Sequence, residues 1–265
     1  MPNYNEIIPE ALMRLIGTPS CPRIVDVCID DDFSADPNLI PTAQRVPHDD
    51  LDAIAALGDG REIVVVCQKG LKLSHGVAAY LRARGATAQV LSGGNQGWRD
   101  AELPRVPAAS QLGPLWVTRH RPKIDRIACP WLIRRFIDPK ARFLFVPPAT
   151  VADVAARFGA TPFDVDIPPF THCDDRCTFD AMLDHFGLDL PALRDMATVI
   201  RAADTDRHDH APQAAGLLAL SVGLSRMYRD DTEQLEAGMG LYDALYRWAR
   251  DGQGEGHDWP GGQGK

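Results

Sequence analysis

Long hydrophobic runs are missing from this sequence of 265 residues. Its longest uncharged apolar stretch runs from Ala211 to Ser225, about 15 residues. A membrane-spanning helix needs roughly 18 or more. The N-terminal segment MPNYNEIIPEALMRLIG places acids among its apolar residues and has no basic start followed by an apolar run, so it does not have the pattern of a secretory signal. These absences predict a cytoplasmic protein that does not span a membrane.

Cysteine is also scarce, with six residues in the whole chain. A small disulfide-stabilised fold has a much higher cysteine density, and a reducing cytoplasm keeps thiols free. We therefore interpret each cysteine separately, as a packing residue, a nucleophile or a metal ligand. The expected packing residues are Cys21, Cys28 and Cys129.

An excess of basic residues is absent from the chain as a whole. There are 28 Lys and Arg against 36 Asp and Glu, a net charge of -8. Attraction of the entire protein to nucleic acid or to an anionic membrane is therefore not expected. One segment differs, because eight basic residues and only two acids lie between Arg119 and Arg142.

The length leaves room for about two domains. LPRVPAASQLGPL, rich in Pro, Ser and Ala, is interpreted as the linker. The expected domains are residues 1–110 and 111–250, and DGQGEGHDWPGGQGK, residues 251–265, is expected to be a flexible tail.

The first domain alternates between apolar strands and amphipathic helices. RIVDVCI, EIVVVC and TAQVLSGG are typical of strands, and PEALMRLI, DDLDAIAAL and SHGVAAYLRARG have helical periodicity. This alternation predicts an α/β fold, a mainly parallel sheet with helices on both faces. Ligands of such sheets bind at the carboxyl ends of the strands, where Cys67 stands.

The second domain is predicted to be mostly α-helical. WVTRHRPKIDRIACPWLIRRFIDP is interpreted as a strand, a turn and a helix, and ARFLFVPP as a further strand. From Thr178 onward the segments TFDAMLDHFG, LPALRDMATVIRAADTD, APQAAGLLALSVGLSRMY and DTEQLEAGMGLYDALYRWARD have helical periodicity.

Cys67 lies between a buried strand and a helix, in the segment VVVCQKGLKLSHGVAAYL. Backbone N–H groups of such a loop and the positive end of the helix dipole favour the thiolate, the nucleophilic form of cysteine. Lys69 and Lys72 add positive charge. The pattern predicts a catalytic cysteine; the alternative is a structural cysteine buried at a strand end.

The surrounding segments resemble the rhodanese family over roughly residues 8–105. QVLSGGNQGWRDAELP is similar to the closing strand, Gly-Gly turn and Trp of that family, RIVDVC to its opening strand, and LIPTAQRVPHDDL to its approach to the next helix. The resemblance implies a persulfide on Cys67 and transfer of sulfane sulfur from a donor such as thiosulfate to a thiol. It implies catalytic roles for Cys67, Lys69 and Lys72, and anion binding by Gln68, Gly70 and Leu71.

Three positions depart from that family. Cys28 stands where Arg often follows the opening Asp-Val, Lys72 replaces the usual loop Arg, and Leu73 replaces a small polar residue. Lysine binds anions as a point charge without a bidentate fork. These departures therefore affect which sulfur donor the protein would prefer. A phosphatase is not expected, because its arginine six positions after the cysteine would fall at Leu73.

The second domain resembles the chromate-resistance (ChrB-type) C-terminal domain over about residues 114–250. The segments that carry the resemblance are WVTRHRPKIDRIACPWLIRRFIDPKARFLFVPP, FTHCDDRCTFDAMLDHFGL and VIRAADTDRHDHAPQAAGLLAL. The resemblance implies an association with chromate resistance, as a sensor or as an accessory factor of chromate efflux.

Several residues of this domain could bind a divalent transition metal. His172 adjoins Cys173, and Cys177 follows four positions later; thiolate and imidazole suit borderline-soft metals such as Zn²⁺. Asp204 and His208 are four apart and would share a helix face if the helix continues that far. The predicted ligands are His172, Cys177, Asp204 and His208. In the alternative, the cysteines pack and the segment after Asp204 is a solvated helix end.

The basic segment offers a site for a dianion such as chromate or sulfate. Arg119, Arg121, Lys123 and Arg126 stand around one predicted turn. A purely structural role and contact with DNA phosphates are the alternatives, and DNA is not favoured because no helix-turn-helix pattern is evident.

Together these features predict a chromate-resistance-associated protein with rhodanese-like sulfur transfer through Cys67, using a small sulfur donor and a thiol acceptor and no organic cofactor. Two alternatives stay open. One is a chromate-responsive regulator or oxyanion-binding module in which the rhodanese-like domain is a scaffold. The other is a metalloenzyme centred on the second domain. The oligomeric state stays open as well.

Overall fold

The computed structural model describes residues 5–173 and 175–256, so residues 257–265 of the predicted tail lie outside the described residues. The strands are β1 (Glu6–Ile7), β2 (Arg23–Asp26), β3 (Asn38–Leu39), β4 (Gln44–Arg45), β5 (Ile63–Val66), β6 (Ala88–Leu91), β7 (Val106–Pro107), β8 (Leu115–Arg119), β9 (Arg142–Val146) and β10 (Thr161–Pro162). The helices are α1 (Pro9–Leu15), α2 (Asp30–Ala35), α3 (Leu51–Leu57), α4 (Lys72–Ala83), α5 (Gly94–Asp100), α6 (Asp125–Leu132), α7 (Val151–Phe158), α8 (Thr178–Phe186), α9 (Pro191–Asp204), α10 (Ala214–Met227) and α11 (Asp231–Arg247). Within the described ranges, none of these helices has the length and apolar character needed to cross a membrane.

The N-terminal part is built around a five-stranded sheet in the order β1-β6-β5-β2-β4, with all four pairings parallel. Along β5, Val64 and Val66 belong to one buried cluster and Val65 to another, because successive side chains point to opposite faces. Both faces are covered, which confirms the predicted α/β fold. The two-residue strands β1, β3, β4 and β7 were not predicted, because so short a strand shows no alternation.

The C-terminal part is mostly helical, as predicted, and contains a three-stranded parallel sheet in the order β10-β8-β9. The predicted strand, turn and helix correspond to β8, a loop and α6, which continues as a π-helical turn over Ile133–Ile137. The helices α8 to α11 form most of the remainder. The sequence pattern did not predict α7 or β10.

One hydrophobic core joins the two parts. Leu12 of α1 belongs to the same buried cluster as Phe136 and Tyr246 from the C-terminal part. The Thr42 N–H donates to the Phe136 carbonyl across the junction at 2.8 Å. At Gly17, where φ is +81°, a Cβ would lie 2.6 Å from Phe136 Cζ and 2.6 Å from Tyr246 Cε1. Glycine at this position therefore permits the close approach of the Phe136 and Tyr246 rings to the N-terminal part.

Candidate functional site

The predicted nucleophile Cys67 lies at the carboxyl end of β5, directly before the loop that leads into α4. Its side chain is buried, with 5% of its surface exposed. α4 has 12 residues, so its N-terminus contributes free N–H groups and partial positive charge next to the loop. The helix N-terminus therefore lies next to the loop that carries the sulfur.

Ser74, which the sequence pattern did not single out, contacts the sulfur. Its Oγ lies 3.2 Å from Cys67 Sγ and donates to the Leu71 carbonyl at 3.1 Å. Ser74 is fully buried in the first turn of α4. A hydroxyl beside the sulfur can accept a hydrogen bond from a thiol or donate one to a thiolate, so it is suited to both states.

The Cys67 loop is held by the glycine turn at Gly93–Gly94, which follows β6. Gly70 and Gly94 have φ values of +64° and +58°, and a Cβ at Gly94 would collide with the Cys67 carbonyl oxygen and the Gly70 nitrogen. The Asn95 N–H donates to the Cys67 carbonyl at 3.0 Å. The Gly-Gly turn after β6 therefore positions the backbone on which the nucleophile sits.

The remaining predicted loop residues differ in their exposure. Lys69, Leu71 and Lys72 are exposed, and Gln68 is half-buried. The structure gives the two lysine side chains no carboxylate partner within the described residues. They can therefore offer positive charge to an incoming anion. Their assigned roles stay predictions.

A buried polar group holds Cys28 beside this loop. Asp26, at the end of β2, accepts from the Cys28 N–H and from Asn95 Nδ2, both at 2.8 Å. Asn95 Nδ2 also lies 3.3 Å from Cys28 Sγ. Burial and then the Asp26 carboxylate raise the pKa of the Cys28 thiol far above its usual range. Cys28 therefore stays protonated, which leaves Cys67 as the better nucleophile of the two.

A second centre forms around His172, before α8. His172 Nε2 lies 3.2 Å from Asp164 Oδ1, 3.3 Å from Asp204 Oδ2 and 3.6 Å from Asp125 Oδ2. The predicted pair of His172 and Asp204 thus comes together, and two further carboxylates join it. Hydrogen bonds from the imidazolium to Asp164 and Asp204 raise the pKa of His172 to about 10.

Asp125, the first residue of α6, is a buried member of this centre. It accepts from the Thr178 N–H at 2.7 Å and from the Phe179 N–H at 3.1 Å, both at the N-terminus of α8. Burial, then repulsion from Asp204 and Asp164, raises the pKa of Asp125 to about 8. A bound cation would relieve this repulsion and favour the ionised carboxylate.

Two arginines of the basic segment hold Asp164. Arg119 and Arg126 lie 2.9 Å and 3.1 Å from its Oδ2, which leaves Oδ1 toward His172. Burial opposes ionisation of Asp164, but hydrogen bonds from His172 and Arg119 outweigh it and lower the pKa of this carboxyl. Arg119 and Arg126 therefore position an internal carboxylate, and their binding of an external anion stays a prediction.

The other two cations of the predicted anion site point elsewhere. Arg121 Nη2 donates to the Ser225 carbonyl at 2.6 Å, and the Arg121 N–H donates to Asp231 at 3.1 Å. These bonds tie the loop before α6 to α10 and α11. Lys123 is exposed.

Cys177 is fully buried at the N-cap position of α8. Its N–H donates to Asp180 Oδ2 at 3.1 Å, and its Sγ lies 3.4 Å from the same oxygen. Burial and then the Asp125 charge raise the pKa of this thiol far above its usual range. A metal would have to displace a firmly held proton before it could bind this sulfur. Cys173, by contrast, is exposed, so core packing is wrong for it.

His208 does not share a helix face with Asp204. α9 ends at Asp204, Asp206 follows in the left-handed conformation with φ of 56°, and His208 begins a separate turn. The expected continuation of the helix is therefore wrong, because the left-handed residue reverses the chain. His208 Nε2 lies 3.5 Å from Asp206 Oδ1. Within the described chain, the donor atoms of Asp125, Asp164 and His172 all lie within 4.8 Å of one another, and Asp204 contacts His172 without belonging to this mutually close set.

The missed residues had different signals in the sequence. Asp125 is one of the two acids in a strongly basic segment, which could have marked it as a functional acid. Asp164 lies in the ordinary segment PFDVD and carries no such mark.

Two family models match the chain. Residues 116–249 match the model described as ChrB, C-terminal domain, and residues 9–101 match the rhodanese-like domain. Protein ChrB from Cupriavidus metallidurans is 38% identical over 150 residues, which are 54% of this chain and 43% of that protein. The chain therefore aligns with less than half the length of this curated relative.

The similar solved structures include rhodanese-like proteins. A rhodanese-like domain protein from Staphylococcus aureus is 27% identical, with a TM-score of 0.32; the match covers 36% of this chain and 90% of that one. A thiosulfate sulfurtransferase from Pseudomonas aeruginosa is also 27% identical, with a TM-score of 0.34, and the match covers 39% of this chain and 19% of that one.

Proposed function

Because this chain belongs to the ChrB C-terminal domain family and also carries a rhodanese-like domain, we propose that it is a chromate-resistance-associated protein that transfers sulfane sulfur through a persulfide on Cys67. The observation that carries the proposal is the placement of Cys67 Sγ at a strand end, 3.2 Å from Ser74 Oγ in the first turn of α4. Cys67 is the nucleophile, and Lys69 and Lys72 attract the anionic donor.

The transfer has two balanced steps. The Cys67 thiolate attacks the sulfane sulfur of thiosulfate, a new S–S bond forms, the old S–S bond breaks, and sulfite leaves with the electron pair. An acceptor thiolate then attacks the outer sulfur, takes it as its own persulfide and returns the Cys67 thiolate. The positive end of α4 and the Ser74 hydroxyl stabilise the anionic sulfur in both states.

The test is sulfur transfer from thiosulfate to cyanide by the full chain, with mass spectrometry of the Cys67 peptide. The wild type should gain the mass of one sulfur atom on Cys67, and Cys67→Ser should abolish both the gain and the turnover. Cys21→Ser, at a half-buried cysteine outside this loop, is the matched control and should stay active. Full activity in Cys67→Ser would falsify the proposal. Chromate-dependent partner binding that survives Cys67→Ser, without any persulfide, would instead favour the scaffold alternative.

The convergence of three carboxylates on His172 favours a second function, binding of a divalent metal by the C-terminal domain. His172, Asp125 and Asp164, whose donor atoms all lie within 4.8 Å of one another, would supply one nitrogen and two oxygen ligands, and Asp204, 3.3 Å from His172 Nε2, a third oxygen. This mixed set suits borderline metals such as Zn²⁺, Mn²⁺ or Fe²⁺. The metal would act as a Lewis acid at this centre. Asp164 Oδ2 would stay with its two arginines, which fixes the direction of Oδ1.

Elemental analysis of protein purified with ample metal tests this second function. The wild type should carry about one equivalent of metal, a ratio that follows from one ligand cluster. His172→Ala and Asp204→Asn should lose it, while His210→Ala and Asp206→Asn, exposed or half-exposed neighbours outside the cluster, should keep it. A metal-free wild type, or equal metal content in all variants, would contradict it.

A further inference from the structure

A cleft of about 390 Å³ opens at the junction of the two parts of the molecule. Its N-terminal wall follows the end of α1 and the start of β2, and its C-terminal wall follows the π-helical turn and the start of β9. The volume lies within the range of roughly 300–1,000 Å³ typical of small-molecule sites. This cleft is separate from both the Cys67 loop and the His172 centre.

The cleft is lined by many cations and few anions. Among the described residues, its lining includes one carboxylate, that of Glu236. The lining cations are Arg23, Arg61, Arg134, Arg135, Lys140 and Arg142. Four of these six come from the second half of the basic segment that the sequence singled out. Tertiary structure adds two arginines from the other part of the chain.

Two of the cations are already neutralised. Arg135 binds Asp243 through two hydrogen bonds of 2.7 Å and 2.8 Å. Arg134 Nη1 lies 2.6 Å from Glu236 Oε1 at the rim. These bonds hold both guanidinium groups in fixed positions, because their terminal nitrogens are occupied.

The other four cations are incompletely paired. Within the described ranges, no carboxylate lies at ion-pair distance from Arg61, Lys140 or Arg142. Arg23 reaches Asp59 only at 3.4 Å, and its buried Nε has no hydrogen-bond partner. Like charges that face one cleft repel each other, and a multiply charged anion would remove this repulsion.

Cys21 also lines the cleft, and its Sγ lies 3.9 Å from Thr42 Oγ1, another lining residue. Burial raises the pKa of its thiol to about 11, and the hydrogen bond with Thr42 and the charges of Arg23, Arg61 and Arg135 act in the opposite direction. Cys21 can serve as a reporter of what occupies the cleft.

We propose that this cleft binds a multiply charged tetrahedral oxyanion, either as a free inorganic ion or as the phosphoryl group of a larger ligand. Arg23, Arg61, Lys140 and Arg142 bind the anion from both parts of the chain. Occupancy therefore strengthens the junction between them. The site does not depend on sulfur transfer at Cys67 or on a metal at His172.

The experiment is calorimetric titration of the full chain at low ionic strength, with pyrophosphate as one probe and ATP as the other. We expect saturable binding that the double variant Lys140→Glu/Arg142→Glu weakens about tenfold or more, since charge-assisted hydrogen bonds are lost. Arg157→Glu is the matched control, because Arg157 is an exposed arginine on α7, outside the cleft, and should bind like the wild type. Tighter binding of ATP assigns the larger ligand, and equal binding assigns the phosphoryl group alone.

Absence of saturable binding of both probes to the wild type overturns the proposal, as does wild-type affinity in the double variant. A second measurement needs no variant. Pyrophosphate should slow alkylation of Cys21 several-fold and leave the exposed Cys173 unaffected. An unchanged rate at Cys21 also overturns the proposal.

Discussion

Cys67 Sγ and Ser74 Oγ lie 3.2 Å apart, so the strand end and the helix start are joined at the nucleophile. The Ser74 hydroxyl has one proton and currently donates it to the Leu71 carbonyl. The same hydroxyl can also rotate and donate to the sulfur. The pair therefore links the nucleophile to the first turn of α4.

Replacement of this hydroxyl should slow sulfur transfer. We expect Ser74→Ala to lower kcat/KM for thiosulfate about tenfold, because a hydrogen bond to a charged group contributes about 1.5–3 kcal/mol. Alkylation of Cys67 at fixed pH should also become slower, since the sulfur loses a hydrogen-bond donor. Ser110→Ala, outside this loop, is the control. An unchanged alkylation rate would show that Ser74 only packs.

The positive charge of Lys72 should attract the anionic sulfur donor, thiosulfate. Lys72→Ala should raise KM for thiosulfate several-fold with little change in kcat, because an exposed cation attracts the anion before chemistry begins. Lys72→Arg should keep a low KM, since a guanidinium can bind the anion through two nitrogens. Steady-state kinetics at low and high salt measures both, and the effect should shrink at high salt. A change in kcat alone would contradict a role in attraction.

The hydrogen bond from Asn95 to the buried Asp26 carboxylate should contribute to the stability of the fold. Asn95→Ala leaves one oxygen of a buried carboxylate without its donor, so we expect the free energy of unfolding to fall by about 1–3 kcal/mol. Urea denaturation measures the change, and Gln111→Ala, at an exposed position, should change it by less than about 0.5 kcal/mol. A loss no larger than that control would mean that water replaces the amide.

The His172 cluster should make stability depend on pH in the metal-free protein. The pKa of His172 in the folded protein is about 10, above its ordinary value of 6.5. The protonated imidazole therefore stabilises the fold fully below pH 6.5, and this stabilisation disappears as the pH rises through 10. Asp125, with a raised pKa of about 8, acts in the same direction. Denaturation of EDTA-treated protein between pH 6 and pH 10 should show this fall. His172→Gln should flatten the profile and His120→Gln should not; equal slopes in both variants would contradict the assignment.

Gly17, at the junction between the two parts, should tolerate no side chain. Gly85→Ala, at φ of +86° with no atom near the new Cβ, should cost about 1–2 kcal/mol from backbone strain. Gly17→Ala combines the same strain with contacts to Phe136 and Tyr246, and should cost about 1–3 kcal/mol more. Thermal or urea unfolding compares the two. Equal costs would show that the junction adjusts freely.

Local pattern accounts for the elements and for part of each site. The runs around Val64–Val66 and the glycine turn at Gly93–Gly94 predicted the parallel sheet and the place of Cys67, because strand and turn preferences act over a few residues. His172 and Asp204 were also predicted as partners, and they lie 3.3 Å apart.

The tertiary structure decided which distant groups share these sites. Asp125 and Asp164 reach His172 from separate elements, and Arg119 and Arg126 turn inward to Asp164, which no spacing in the sequence indicated. Likewise, the basic segment contributes to two features: Arg119 and Arg126 bind Asp164 inside the C-terminal part, and the basic residues from 134 to 142 line the cleft.

The residue pattern alone was enough to predict the α/β fold of the N-terminal part, the mostly helical C-terminal part and the candidate nucleophile Cys67. Only the folded chain decided that Cys28 and Cys177 are protonated, that Cys173 is exposed and that Cys21 lines a cationic cleft. The physical reason is that burial and neighbouring charge set the state of a thiol or carboxylate. Both depend on residues that lie far apart in the sequence and meet only when the core closes.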